Sequence, residues 1–189
     1  MKLDGLKVAV LVTDGFEPSE LTEPMRALRD AGAEPVIVSD HDGTVHGKTD
    51  ADTADVDLTL DAARADDYGA LLLPGGVKNP DTMRQNPAGV AFVRHFAEAG
   101  KPIAAICHAP WLLVEADAVR GRRVTSYPSL KTDLRNAGAE WVDEEVVTDQ
   151  GIVTSRTPND LPAFNAKMIE EFGEGTHHRA AASSGATGA

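Results

Sequence analysis

The amino-acid sequence predicts a doubly wound α/β sandwich, a mostly parallel sheet covered by helices on both sides. Three observations carry this. Four short segments are apolar throughout rather than alternating, which means burial on both faces, as in a parallel sheet between helices. Segments with helical spacing separate them, and strand–helix alternation builds parallel sheets. The chain has 189 residues, 42% hydrophobic and 25% charged, enough for one good core and too few for two large domains.

The elements follow in order. Residues 7–13 are β-rich and end at Asp14-Gly15, a strand running into a turn. Leu21, Met25, Leu28 and Ala31 recur at helical spacing over residues 20–31, and Gly32 stops that helix. Residues 35–38 form a second strand. Asp42-Gly43 and Gly47 bracket a small hairpin. Residues 70–73 make a third strand, ended by Pro74-Gly75-Gly76. Residues 87–99 read as a helix with Val90, Phe92, Val93 and Phe96 as its apolar positions, closed by Gly100. Residues 102–106 form a fourth strand, and residues 110–114 open another helix. Short strands are expected at 124–125, 141–142, 146–147 and 152–154. A last helix spans 160–172, with Leu161, Phe164, Met168 and Phe172 on one side. After Gly173 the composition shifts to Gly, Ala, Ser and Thr. A single domain over 1–173 and a flexible C-terminal tail over 174–189 are expected.

Composition narrows the function classes. Thirty acidic residues against 18 basic ones give a formal net charge of -12. Such a chain lacks the basic surface that a stable nucleic-acid partner requires, and an anionic membrane would repel it. No stretch approaches the ~20 apolar residues of a membrane span, and residues 1–5 offer no apolar run for a signal peptide. A cytoplasmic protein with a reduced thiol is expected. One cysteine, Cys107, excludes an internal disulfide and a multi-cysteine zinc site. No H-x-x-x-H, H-E-x-x-H, G-x-G-x-x-G or phosphate loop occurs, so neither metal nor other cofactor is expected.

In open α/β sheets, ligands bind beyond the carboxyl ends of the strands. There the first strand delivers Asp14-Gly15-Phe16-Glu17, the third Pro74-Gly75-Gly76 and the fourth Cys107-His108. Ala105-Ile106-Cys107-His108-Ala109 fits a nucleophile elbow, a sharp strand-to-helix turn. Small residues two before and two after the nucleophile let strand and helix approach closely. A helix from Pro110 would point its positive end at the sulfur and lower the thiol pKa. The bland alternative is a buried cysteine acting as a small hydrophobe. At a tight elbow His108 can share the cleft and serve as acid or base, or it can merely pack on the helix start. Backbone amides at Gly75-Gly76 and His108 can form an oxyanion hole, although two glycines also suit a plain tight turn. Glu17 sits among Phe16, Pro18 and Leu21. Desolvation there would raise its pKa, so that it donates a proton toward sulfur. Glu20 and Glu23 look more like acids at a helix start, in favourable contact with its dipole.

These motifs together resemble the PfpI family, often labelled intracellular protease or deglycase, within the class I glutamine amidotransferase-like superfamily. The resemblance covers about residues 5–173. Besides the segments above it rests on Thr125-Ser126-Tyr127-Pro128 and on the run from Thr154 to Leu161. It implies a flavodoxin-like fold, Cys107 as nucleophile, His108 beside it and Glu17 as the acid hydrogen-bonded to sulfur. It also implies a homo-oligomer, dimer or larger, with the site at a subunit interface. There Asp81 of a second copy, in place of the more usual glutamate, would complete a Cys-His-acid triad. Tyr127 resembles a cleft tyrosine and Arg84 an arginine near that interface. Ala109 stands where glycine is usual. The function so implied is a cofactor-independent cysteine enzyme acting on small reactive carbonyls in stress protection. It would convert methylglyoxal as a glyoxalase III does, or hydrolyse early glycation adducts. The alternatives are an intracellular cysteine peptidase or amidase, and a redox-sensing or chaperone-like stress protein without catalysis.

Overall fold

The computed structural model describes residues 3–177. Its elements are β1 (Lys7–Leu11), α1 (Pro18–Asp30), β2 (Glu34–Ser39), β3 (Thr44–His46), β4 (Thr53–Asp55), β5 (Leu58–Thr59), β6 (Ala70–Leu73), α2 (Lys78–Met83) and α3 (Pro87–Glu98). They continue with β7 (Ile103–Ile106), α4 (Pro110–Glu115), β8 (Arg123–Val124), α5 (Lys131–Asn136), β9 (Glu140–Trp141), β10 (Val146–Asp149), β11 (Ile152–Ser155) and α6 (Leu161–Glu174).

Seven strands form the central sheet in the order β10-β11-β7-β6-β1-β2-β5. All pairings are parallel except β10 with β11. The inner strands run as read from sequence: every residue of β6 and β7 is buried. Alternate strand residues face opposite layers. Ala9, Leu11, Leu71, Leu73, Ile103 and Ala105 pack on α3, α4 and α5 through Phe92, Phe96, Leu112 and Leu134. Val8, Val10, Leu72, Ala104 and Ile106 pack on α1 and α6 through Leu28, Phe164 and Met168. The strand order reverses at β1, whose neighbours are β2 and β6, so the crevice of this flavodoxin-like sheet opens at the carboxyl ends of β1, β6 and β7.

The hairpin differs in its turn. β3 lies between Gly43 and Gly47 and pairs with β4 beyond Gly47, so the turn spans 47–52. The short β5, α2 and α5 carry too few residues for a periodic signal. Most of the segment expected to be a tail lies outside the described residues. No helix among the described residues is long and apolar enough to cross a membrane.

Candidate active site

Cys107 begins where β7 ends. Its N–H donates to the Ser155 carbonyl at 3.0 Å, extending the sheet by one residue, and the Ala109 N–H closes a turn onto Ile106 at 3.0 Å. Between these bonds Cys107 takes φ 64°, a left-handed conformation rare for a side chain of its kind. That strain is what a nucleophile elbow stores, and it aims the sulfur into the crevice. Ala109 is fully buried, so a small residue is required there.

His108 lies on the same side. Its Nδ1 is 3.1 Å from the Cys107 sulfur and its Nε2 is 3.3 Å from the Ser129 hydroxyl. The ring stacks on Tyr127 at 4.5 Å and meets Trp111 edge-on at 5.2 Å. Arg84 extends this row, its guanidinium 5.4 Å over Trp111 and paired with Glu115 at 3.2 Å. Burial lowers the His108 pKa, so the ring is neutral at physiological pH.

The acid beside the sulfur is Glu20, not Glu17. Glu17 precedes α1 and turns outward to an ion pair with Lys48 on the β3–β4 turn. Glu20 sits on the inner face of α1 with Leu21, Pro24, Met25 and Leu28 and is fully buried. Its Oε2 occupies the place a Cβ on Gly75 would take, while that same Cβ would stand 2.7 Å from the Cys107 Cβ. Gly75 is therefore bare because two functional side chains meet over it. Neither Glu20 oxygen is held in a well-aligned hydrogen bond. Burial, then the neighbouring charge of Glu17, pushes its carboxyl up to about 8, against smaller opposing contributions from the Cys107 thiol, the Gly76 N–H and Lys48. Glu20 is thus a carboxylic acid at neutral pH, the state expected of Glu17.

The expected lowering of the thiol pKa does not occur. Burial, then the charge that Glu20 acquires at high pH, raises Cys107 to about 12. The Gly76 and His108 backbone N–H groups act the other way by donating to sulfur. Helix α4, only six residues long, is too weak a dipole to overcome desolvation. Below about pH 8 Glu20 is neutral and its repulsion disappears.

Buried Asn79 sets the spacing of the strand ends. Its Oδ1 accepts from the Thr13 N–H at 2.8 Å, and its Nδ2 donates to the Pro74 and Gly75 carbonyls at 3.0 and 3.1 Å. Sequence reading missed Asn79, Ser129 and Lys48, for none stands in a recognisable motif. Tyr127 is 40% exposed where its ring stacks on His108, at the rim of the crevice, and Asp81 is exposed on α2.

A strained cysteine at a β-strand elbow, facing a glutamic acid from the first helix of a flavodoxin-like sheet, defines a class. The DJ-1/PfpI family profile matches residues 6–171, and the chain belongs to that family. It is 46% identical over 169 residues to protein/nucleic acid deglycase 2 of Escherichia coli, covering 88% of this chain and 98% of that one. It is 45% identical over 167 residues to general stress protein 18 of Bacillus subtilis, covering 87% and 96%. The crystal structure of Drosophila melanogaster DJ-1beta superposes with a TM-score of 0.81 at 28% identity, covering 90% and 95%.

Proposed function

We propose that the protein is a cofactor-independent cysteine enzyme acting on small reactive carbonyls, a deglycase-type stress enzyme with glyoxalase III-like chemistry. One observation carries the reading: the Cys107 sulfur lies between a basic nitrogen 3.1 Å away and a buried carboxylic acid that keeps its proton to about pH 8. The sequence similarity to a deglycase and to a stress protein agrees with it.

A thiol with a raised pKa needs a base. Neutral His108 offers its Nδ1 lone pair in the tautomer whose Nε2–H donates to Ser129. It takes the thiol proton as sulfur adds to the aldehyde carbon of methylglyoxal. The Glu20 O–H and the Gly76 and His108 N–H groups, which surround sulfur, hold the charge. The imidazolium then protonates the new alkoxide, giving a hemithioacetal. His108 carries the proton from C1 to C2 through an enediol, leaving a lactoyl thioester. Water hydrolyses it to lactate and free thiol, with no external oxidant. An early adduct enters the same path when the thiol displaces its amine. Asp81 of a second copy would approach the Nε2 side of His108 and stabilise the imidazolium, with Tyr127 and Arg84 at the shared rim.

The test is lactate formation from methylglyoxal, with amine release from a preformed adduct followed separately so that depletion of free dicarbonyl is not read as repair. Cys107→Ala and His108→Ala should lose nearly all turnover. Equal turnover by parent and Cys107→Ala overturns the reading, and cleavage of a fluorogenic peptide that requires Cys107 replaces it with a peptidase.

A further inference from the structure

A second cluster of chemically capable side chains lies at the opposite end of the sheet. Glu171 and Glu174 occupy the last turn of α6, and the chain then reverses at Gly175, φ 79°, bringing His177 back over them. One ligand atom from each of the three lies within 4.8 Å of the others. His177 Nε2 is 3.3 Å from the Glu171 carboxylate and 3.8 Å from that of Glu174.

We propose that Glu171, Glu174 and His177 form a binding site for one divalent transition-metal ion of the zinc type, separate from the Cys107 crevice. The site is built rather than incidental. The His177 N–H donates to the Gly100 carbonyl at 2.8 Å. Its ring lies over Gly151, where an added Cβ would stand 2.8 Å from the imidazole Cδ2. Glu171 is nine-tenths buried, 6% exposed. The His177 Nε2 atom is shielded from solvent yet meets no partner in hydrogen-bond geometry. It is a nitrogen aimed between two carboxylates with nothing well placed to receive.

The spacing suits an ion. Ligands ~2.1 Å from a tetrahedral centre stand about 3.4 Å apart, so the Glu171–His177 separation of 3.3 Å already fits. The 3.8 Å to Glu174 needs a shift of a few tenths of an ångström, and that residue is half exposed and free to turn. An imidazole with two carboxylates favours zinc or its first-row neighbours over calcium and magnesium, which take oxygen ligands. Lys167 is paired with Glu170 at 2.8 Å. Gly100 and Gly151 precede β7 and β11, whereas Cys107 follows β7, so the ion would staple the end of α6 to the far rim of the sheet.

Zinc titration of chelator-treated protein by calorimetry, with the melting temperature read in parallel, tests this. Cys107→Ser is the parent, so that the thiol does not compete. One bound zinc and a raised melting temperature are expected, with magnesium giving no shift. His177→Ala and Glu171→Gln should weaken binding by more than about tenfold, the loss that even a group behind the ligands can cause. His41→Ala, beside Asp14 at the crevice end of the sheet, should bind as the parent does. Should Glu171→Gln fail to fold, the more exposed Glu174→Gln decides in its place. Absence of zinc binding in the parent, or parent-like binding by His177→Ala, overturns the site and leaves a histidine–carboxylate ion pair.

Discussion

In an unfolded chain Glu20 titrates near 4.5, whereas the folded protein holds its proton to about 8. Between those values the native state binds a proton that the unfolded state has lost, so stability falls as pH rises through this window. Glu20→Gln removes the dependence. In urea denaturation it should match the parent near pH 4.5 and exceed it at pH 9 by up to about 5 kcal/mol, since each pKa unit between 4.5 and about 8 is worth ~1.4 kcal/mol. The same variant removes the charge that raises the thiol pKa above pH 8, so iodoacetamide should alkylate Cys107 several-fold faster at pH 9. A slower reaction would mean that Glu20 assists the thiolate even when ionised. The choice between Glu17 and Glu20 was legible, but in helix phase rather than local hydrophobicity. Glu20, Pro24 and Leu28 are spaced by four and share the buried face of α1. Glu17 has apolar neighbours in sequence but precedes the helix, where its side chain can leave for Lys48.

Elements with long periodic or fully apolar sequence were legible nearly to the residue. α3 was expected over 87–99 and spans Pro87–Glu98, because Asn86 caps one end and a glycine closes the other. The Asn86 carboxamide oxygen accepts from the Ala88 and Gly89 N–H groups at 2.9 and 3.2 Å. Asn86→Ala should lower the urea midpoint by the equivalent of about 1 kcal/mol with an unchanged slope. The elements that were not read are β5, α2 and α5, of two and six residues, whose positions are set by packing rather than pattern. The turn after β6 was read as glycine-rich so as to bare its amides or simply to turn tightly; the meeting of Glu20 and Cys107 over Gly75 was not read. Gly75→Ala puts a methyl between Glu20 and Cys107. It should cost about 1–3 kcal/mol through overpacking and abolish lactate formation, whereas a mere turn glycine would spare activity in the folded fraction.

The whole molecule has a sheet whose edges resist extension. One edge strand, β5, has two residues, and at the other, β10, the Arg122 guanidinium donates to the Asp149 and Gln150 carbonyls and the Arg123 N–H to the Asp149 carboxylate. Asp81 and Tyr127 are exposed on helix and loop surfaces rather than on these edges. If Asp81 serves the neighbouring chain, Asp81→Ala and Cys107→Ala proteins refolded together should regain about a quarter of wild-type activity, because half the random dimers carry one intact site. Asp81→Ala fully active on its own, with the mixture at about half of wild-type activity, would remove Asp81 from the mechanism. One more property follows from where the two reacting partners sit on the polypeptide. Glu20 rides on the first helix and Cys107 on the end of a strand that is made much later during synthesis. Until both halves of the sheet have closed on each other, the sulfur is an ordinary thiol with no base or acid placed beside it. A nascent or heat-loosened chain therefore carries the thiol without its proton acceptor and donor, and the complete constellation exists only once the fold has closed.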